Sequence, residues 1–201
     1  MGILSAFIRC QAFLRINVGA MLNVLVRLCL PVALFAPLAL SAQSKEYQIK
    51  AAFVYNFAQF VLWPPGAFTN SAQPFQIGVL GENPFGKSLE ETVQGETIKG
   101  HPITIVQSTH VEKLAGSQII FVSKSATAHL DDLFQKLDSK PVLTISEDPN
   151  FIQHGGIINL TRDGGKIHFE INPDAAEKNG LKLGSELLSV GKVVHSNSAT
   201  K

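Results

Sequence analysis

The sequence predicts a single three-layer α/β domain: a central, largely parallel sheet with an antiparallel edge hairpin and helices on both faces. Three observations carry this. Short apolar strands alternate with helical segments between residues 75 and 153. Residues 118–123 (QIIFVS) are almost continuously apolar, as in a strand covered on both faces. Near the end, residues 157–161 and 166–171 flank Arg162-Asp163-Gly164-Gly165, a hairpin signal.

The elements follow in order. Residues 45–63 read as a helix. Ile49, Phe53, Phe57 and Phe60 share one face, and Ala52, Val54, Ala58, Val61 and Leu62 widen it until it is apolar nearly all round. Such a helix is expected to be buried; the other use of an aromatic stripe is a binding groove. Pro64-Pro65-Gly66 stops it. Residues 75–80 (FQIGVL) form a strand, and 83–93 a helix opened by Asn83-Pro84. Residues 102–106 are a strand, 111–114 a short helix and 118–123 the central strand. Residues 126–137 make a helix with Leu130, Leu133, Phe134 and Leu137 on one side. Residues 141–146 are a strand, and 148–153 a helical turn ended by Gly155-Gly156. In the second hairpin strand Ile167, Phe169 and Ile171 face inward while Lys166, His168 and Glu170 face out. Asn172-Pro173-Asp174 opens a helix closed by Gly180, and a last helix covers 185–194.

Composition narrows the function. The chain has 201 residues, 45% hydrophobic and 16% charged, with mean hydropathy +0.17. That is too apolar for a disordered chain. Arg9, Arg15 and Arg27 precede Lys45, whereas every acidic residue lies at Glu46 or later, so the chain beyond residue 42 is slightly acidic. No basic run appears, which argues against nucleic-acid binding. The only cysteines are Cys10 and Cys29. The rest of the chain therefore forms no disulfide, thiolate metal site or thiol nucleophile.

Residues 1–42 read as a secretory signal peptide. Arg27 precedes an apolar run, 28–40, interrupted only by Pro31 and Pro37, and small residues Ala39, Ser41 and Ala42 follow. The run is shorter than the roughly 20 residues of a membrane span. Cleavage is expected near Ala42, with Met21 as an alternative start, and Arg27 spoils a lipoprotein box ending at Cys29. The exported part, 43–201, is large enough to bury roughly 70% of its unfolded surface without staples.

Motifs of catalytic type are weak. Gly81-Glu82-Asn83-Pro84-Phe85-Gly86-Lys87-Ser88 satisfies a phosphate-loop pattern after a strand. Pro84 removes a donor inside it, no apolar strand ends in a convincing metal-binding Asp, and an exported domain meets little nucleoside triphosphate. A strand-to-helix turn is the preferred reading. The six histidines (His101, His110, His129, His154, His168, His195) show no metal-ligand spacing. Glu147-Asp148 near His154 could form an acid/base pair, but capping of the turn at 148–153 is preferred. Asn159-Leu160-Thr161 matches a glycosylation sequon by chance. No catalytic residue, metal or cofactor is expected.

Several segments, taken in order, resemble the YfiR family of periplasmic proteins: KAAFVYNFAQFVLWP (50–64), GENPFGKSL (81–89), QIIFVS (118–123), PVLTISEDPNFIQHGG (141–156) and IHFEINPDAAEKNGLKLGSELL (167–188). The resemblance implies regulation rather than catalysis, with 43–201 as a YfiR-like α/β domain. Studied members repress a membrane diguanylate cyclase by binding its periplasmic sensor domain, and a peptidoglycan-associated outer-membrane lipoprotein relieves the repression. Cyclic-di-GMP, exopolysaccharide and biofilm are controlled in consequence. The studied repressor carries a disulfide flanking the segment that matches residues 147–153; this chain has no cysteine there. Redox control through that bond is absent, and capping and Gly155-Gly156 are expected to hold the segment instead.

The expected partner-binding surface is the 147–171 region: Glu147, Phe151, Ile152, Arg162, Asp163, Lys166 and Phe169. Phe151 and Ile152 either anchor the partner or cover the adjacent sheet. The edge strand offers backbone groups for pairing or homodimerisation. Arg162, Asp163 and Lys166 form a polar rim. An alternative is a periplasmic small-molecule binding module, with ligand at the carboxyl ends of the parallel strands, at residues 81–83, 123–125 and 146–148. A hydrolase using Glu147 and His154, or a spatially assembled metal, is the third reading.

Overall fold

The computed structural model describes residues 45–68, 70 and 72–195. The expected signal peptide, with Cys10, Met21 and Cys29, lies outside the described residues. Helix α1 covers 45–60 and runs into β1 (Val61–Leu62). β2 (Phe75–Leu80) is followed by α2 (Ser88–Val93), β3 (Thr97–Ile98) and β4 (His101–Ser108). A 3-10 turn at Val111–Leu114 precedes β5 (Ile119–Val122). A second, Lys124–His129, continues into α3 (Leu130–Lys136), and β6 (Leu143–Ser146) follows. The chain ends in β7 (Ile158–Asp163), β8 (Lys166–Ile171), α4 (Pro173–Lys178), β9 (Lys182–Leu183), α5 (Ser185–Val190) and β10 (Lys192–Val193). Among the described residues no helix is long and apolar enough to cross a membrane.

The predicted class is the observed one. The main sheet has the order β10-β8-β7-β6-β5-β2-β4-β3, and β1 pairs separately with β9. β4, β2, β5, β6 and β7 are parallel, and β8 returns antiparallel beside β7. Its turn needs two consecutive positive φ angles, supplied by Gly164 (54°) and Gly165 (78°). β10 pairs parallel with the last two residues of β8, a strand where the sequence predicts helix. It is two residues long, too short for a periodic signal.

Side-chain alternation builds the three layers. Ile119 and Phe121 of β5 enter one core with Phe75, Ile77, Leu143, Ile145 and α1. Ile120 and Val122 enter a second core with Leu114, Leu130, Leu133 and Leu137. A strand apolar on every residue is thus buried on both faces, as its pattern predicts.

Two expectations about faces change. The face of α1 against the sheet is Tyr47, Ala51, Val54, Phe57, Ala58, and not the evenly spaced stripe; Ile49 and Phe60 are 44% and 42% exposed. Both sets fit a helical period. Ala51 and Ala58 let the backbone approach the sheet closely, which larger side chains at those positions would prevent. The helix at 83–93 begins only at Ser88. Asn83 folds the preceding residues into a turn, its side chain accepting from Phe85 N at 2.9 Å and donating to Gly86 O at 3.2 Å. That turn drives Phe85 into the core between Tyr47 and Phe121. The phosphate-loop pattern is therefore plugged by an aromatic ring.

Phe151 is fully buried and packs beside Phe134, with ring centroids 5.6 Å apart. Gly156 passes so close that a Cβ there would overlap the Phe151 ring. Phe151→Ala is expected to lower the unfolding free energy by about 3–5 kcal/mol, while Ile49→Ala on the exposed side of α1 changes it by about 0.5 kcal/mol or less. Chemical denaturation of both variants checks this.

Candidate functional site

The carboxyl end of β6 meets the first turn of α1, and here the structure concentrates its buried charge. Lys50 lies on the packed face of α1, one turn from Tyr47 and Val54, with its side chain 4% exposed. Its ammonium donates to Glu147 and, at 2.6 Å, pairs with Glu46. Tyr47 OH donates to Glu147 Oε1 at 2.6 Å, and the Lys50 ammonium lies 4.5 Å from the Tyr47 ring centroid. Arg162 on β7 closes the group by donating to Glu46 at 3.0 Å. Two cations face two carboxylates, so the cluster, buried at Lys50 and Glu147 and exposed at Arg162, is neutral overall.

Burial alone would push the Glu147 carboxyl up. The hydrogen bonds from Lys50 and Tyr47, with the charges of Lys50 and Lys124, outweigh it and hold the carboxyl below its ordinary value of 4.5. Burial, the bond to Glu147 and the charges of Glu147 and Glu46 raise the Tyr47 phenol well above its usual value. Tyr47 is therefore a neutral donor and Glu147 an ionised acceptor at neutral pH. Sequence reasoning singled out Glu147 but missed Tyr47, Lys50 and Glu46. The available signal was Lys50 on the same helical face as Tyr47 and Val54, where a lone cation requires a partner.

The 147–171 region divides. Phe151 and Ile152 are both buried, so neither side chain is exposed in this structure. Phe151 joins the core formed by Leu130, Leu133 and Leu137. Phe169 is also buried, wedged against Phe53 and Phe57 at centroid distances of 5.6 and 4.9 Å. Glu147 is committed to the cluster, with its side chain 6% exposed. Arg162, Asp163 and Lys166 are exposed or nearly so at the hairpin tip. Residues 147–156 hold their shape without a disulfide: Asp148 accepts from Asn150 N at 2.8 Å, Phe151 O from Gly156 N at 2.9 Å, and Gly155 adopts φ 98°. Asn159, oriented with its amide nitrogen toward them, donates to the carbonyls of Ser146 and Asp148 at 3.2 and 3.0 Å. It is 1% exposed, which leaves the sequon inaccessible.

The side chains of the other candidate sites are engaged locally. His154 faces Asp131 at 3.1 Å while Glu147 faces Lys50, so the two form no acid/base pair. β2 lies between β4 and β5, which places the topological switch point at Gly81 and Ser123. There Ser123 Oγ donates to Leu80 O at 2.9 Å, Ser125 Oγ accepts from Glu82 N at 2.8 Å, and a Cβ on Gly81 would strike both hydroxyls. The polar groups at the strand ends are spent on one another. Among the described residues no three His, Cys, Asp or Glu side chains converge.

Removing one member of a buried pair leaves the other charge uncompensated. Lys50→Met and Glu147→Gln are each expected to cost about 3 kcal/mol, and Lys50→Met with Glu147→Leu less than the sum. Because the folded pKa of Glu147 is depressed, its contribution is complete above its unfolded value of about 4.5 and lost as pH falls through the lower folded value. Stability measured against pH should show a shallower acid limb in Glu147→Gln than in the parent.

No curated protein matches the chain. Among solved structures, the crystal structure of a conserved domain protein from Vibrio cholerae O1 biovar El Tor str. N16961 is similar at 14% identity with a TM-score of 0.44, covering 59% of this chain and 54% of that one. The chain thus spans about half the length of that protein, a likeness that carries no argument of its own. The YfiR/HmsC-like family model matches residues 47–192, from Tyr47 through the first residue of β10. The chain belongs to the YfiR/HmsC-like family.

Proposed function

We propose that this protein is a periplasmic regulator, exported by a signal peptide at residues 1–42 and working through its domain at 43–201. In this reading it binds and represses the periplasmic sensor domain of an inner-membrane diguanylate cyclase. It makes and breaks no covalent bond. The observation that carries the reading is the family match over residues 47–192. A peptidoglycan-associated lipoprotein would relieve the repression, and the active form would be a homodimer.

The contact surface is reduced from the one the sequence predicts. Asp163 and Lys166 present free charges at the hairpin tip, and Arg162 links that tip to Glu46. Phe151, Ile152, Phe169 and Glu147 support this surface from beneath, as buried groups that position β7, β8 and the loop before them. Rim charges of this kind govern association rate and partner choice more than affinity.

The test is cellular. Removing the gene should raise cyclic-di-GMP and biofilm, and the full chain should restore the low level. A form lacking residues 1–42 should fail to restore it, and so should Asp163→Lys with Lys166→Glu at unchanged melting temperature. Restoration by the leaderless form, or cyclic-di-GMP indifferent to the gene, would overturn the proposal.

A further inference from the structure

Among the described residues the other edge of the sheet is β3 for two residues and β4 beyond them. Among the described residues β4 pairs on its outer side only at His101 and Pro102, with the two residues of β3. Ser108 O accepts from Gly81 N at 2.9 Å, so Ser108 and the alternate residues before it turn their backbone groups toward β2. Ile103, Ile105 and Gln107 therefore turn their N–H and C=O groups outward. Edge strands are normally blunted by a charged side chain or a proline. From Ile103 to Ser108 this strand has neither.

Beside that edge, between β4 and α2, runs a groove of about 780 Å³. Its apolar floor includes Val93, Ile103 and Ile105, and its wall carries Glu90, Glu91 and Glu96. Lys87 alone among the lining residues is cationic. Three exposed carboxylates against one ammonium give the groove an acidic wall above an apolar floor.

We infer that the β4 edge and its groove bind an extended segment of a partner protein that carries apolar and basic side chains together on one face, at every second residue. The segment adds a strand to the sheet by hydrogen bonding to Ile103, Ile105 and Gln107. Its apolar side chains rest on Ile103, Ile105 and Val93, and its lysines or arginines meet Glu90, Glu91 and Glu96. Charge disfavours a second copy of this chain as the occupant, because its own edge residues, Ile103 to Ser108, carry no basic side chain to meet the three carboxylates. The inference is independent of the regulatory reading and concerns the opposite end of the sheet from the hairpin.

The probe is a fluorescent nine-residue peptide in which lysine and valine alternate at the odd positions and threonine fills the even ones, with a counterpart bearing glutamate in place of lysine, titrated into the purified protein by anisotropy. The basic peptide should bind about 10-fold or more tightly than the acidic one, and less tightly as salt rises. Glu90→Lys with Glu91→Lys changes exposed helix positions only and should weaken it about 10-fold or more. Ile105→Pro removes an outward donor without touching the β2 ladder and should do the same; if that variant melts early, the charge-reversed pair decides. No binding by the parent, equal binding of both peptides, or unchanged binding in the charge-reversed protein would overturn the inference. A concentration-dependent dimer abolished by Ile105→Pro would overturn it in favour of a second copy. None of these outcomes bears on cellular cyclic-di-GMP, so the two readings fail separately.

Discussion

A sheet apolar on both faces is stable only when both are covered, and on one face the cover is α1. That helix brings a lysine into the covered region, and the Lys50–Glu147 pair is the interaction that makes this tolerable. An ammonium out of water costs several kcal/mol unless a carboxylate and further hydrogen bonds meet it. Here Glu147 and Glu46 do so, with the Tyr47 ring beside the ammonium, and Arg162 balances the second carboxylate. Apolar packing alone constrains a helix loosely along its axis, because one turn of slippage exchanges one set of methyl groups for another. The ion pair admits one register. It joins residues 97 apart in sequence and so ties the start of the domain to the end of β6.

That constraint propagates into the loop after β6. Glu147 is pinned at its start, Phe151 is sunk into the second core at its middle, and Gly155 and Gly156 turn the chain back at its end. Three anchors in ten residues do the work a covalent staple would do, by packing and charge instead. The consequence for recognition is that this loop has no apolar side chain left to offer. What remains for a partner is the tip that follows, where Arg162 is half committed to Glu46 and Asp163 and Lys166 are free.

Much of the fold was legible because burial on two faces leaves a strong mark. The runs 75–80, 118–123 and 141–146 all became strands, and the glycine pair at 164–165 became the hairpin turn. What failed had local reasons. Ile49-Phe53-Phe57-Phe60 and Tyr47-Ala51-Val54-Ala58 are equally periodic, and periodicity weighs large side chains above small ones. Close approach to a sheet rewards the small ones, so Ala51 and Ala58 decided the face. β10 was invisible because Lys192 and Val193 are strand only through their pairing with β8. The charged cluster was invisible as a set because its members come from residues 46–50, 147 and 162, brought together only by the sheet order.

The two ends of the sheet differ in a way that stability alone does not explain. At the hairpin end every feature limits further pairing: Lys166 on the outer strand, β10 along its last residues, and Lys192 matched to Glu170 at 2.8 Å. Among the described residues the β4 backbone beyond Pro102 has no outer strand, and the carboxylates beside it outnumber the one lysine. Glu90 and Glu91 gain a little from the start of α2, roughly 0.3–1 kcal/mol each at most. Glu96 lies beyond that helix and gains nothing from it, yet it is held in place by the Tyr55 hydroxyl at 2.9 Å. A carboxylate positioned by a neighbour on α1, at the rim of an apolar groove, contributes little to folding in its exposed setting. Its effect is on whatever approaches, and an open strand with oriented negative charge beside it selects both the conformation and the sign of what approaches.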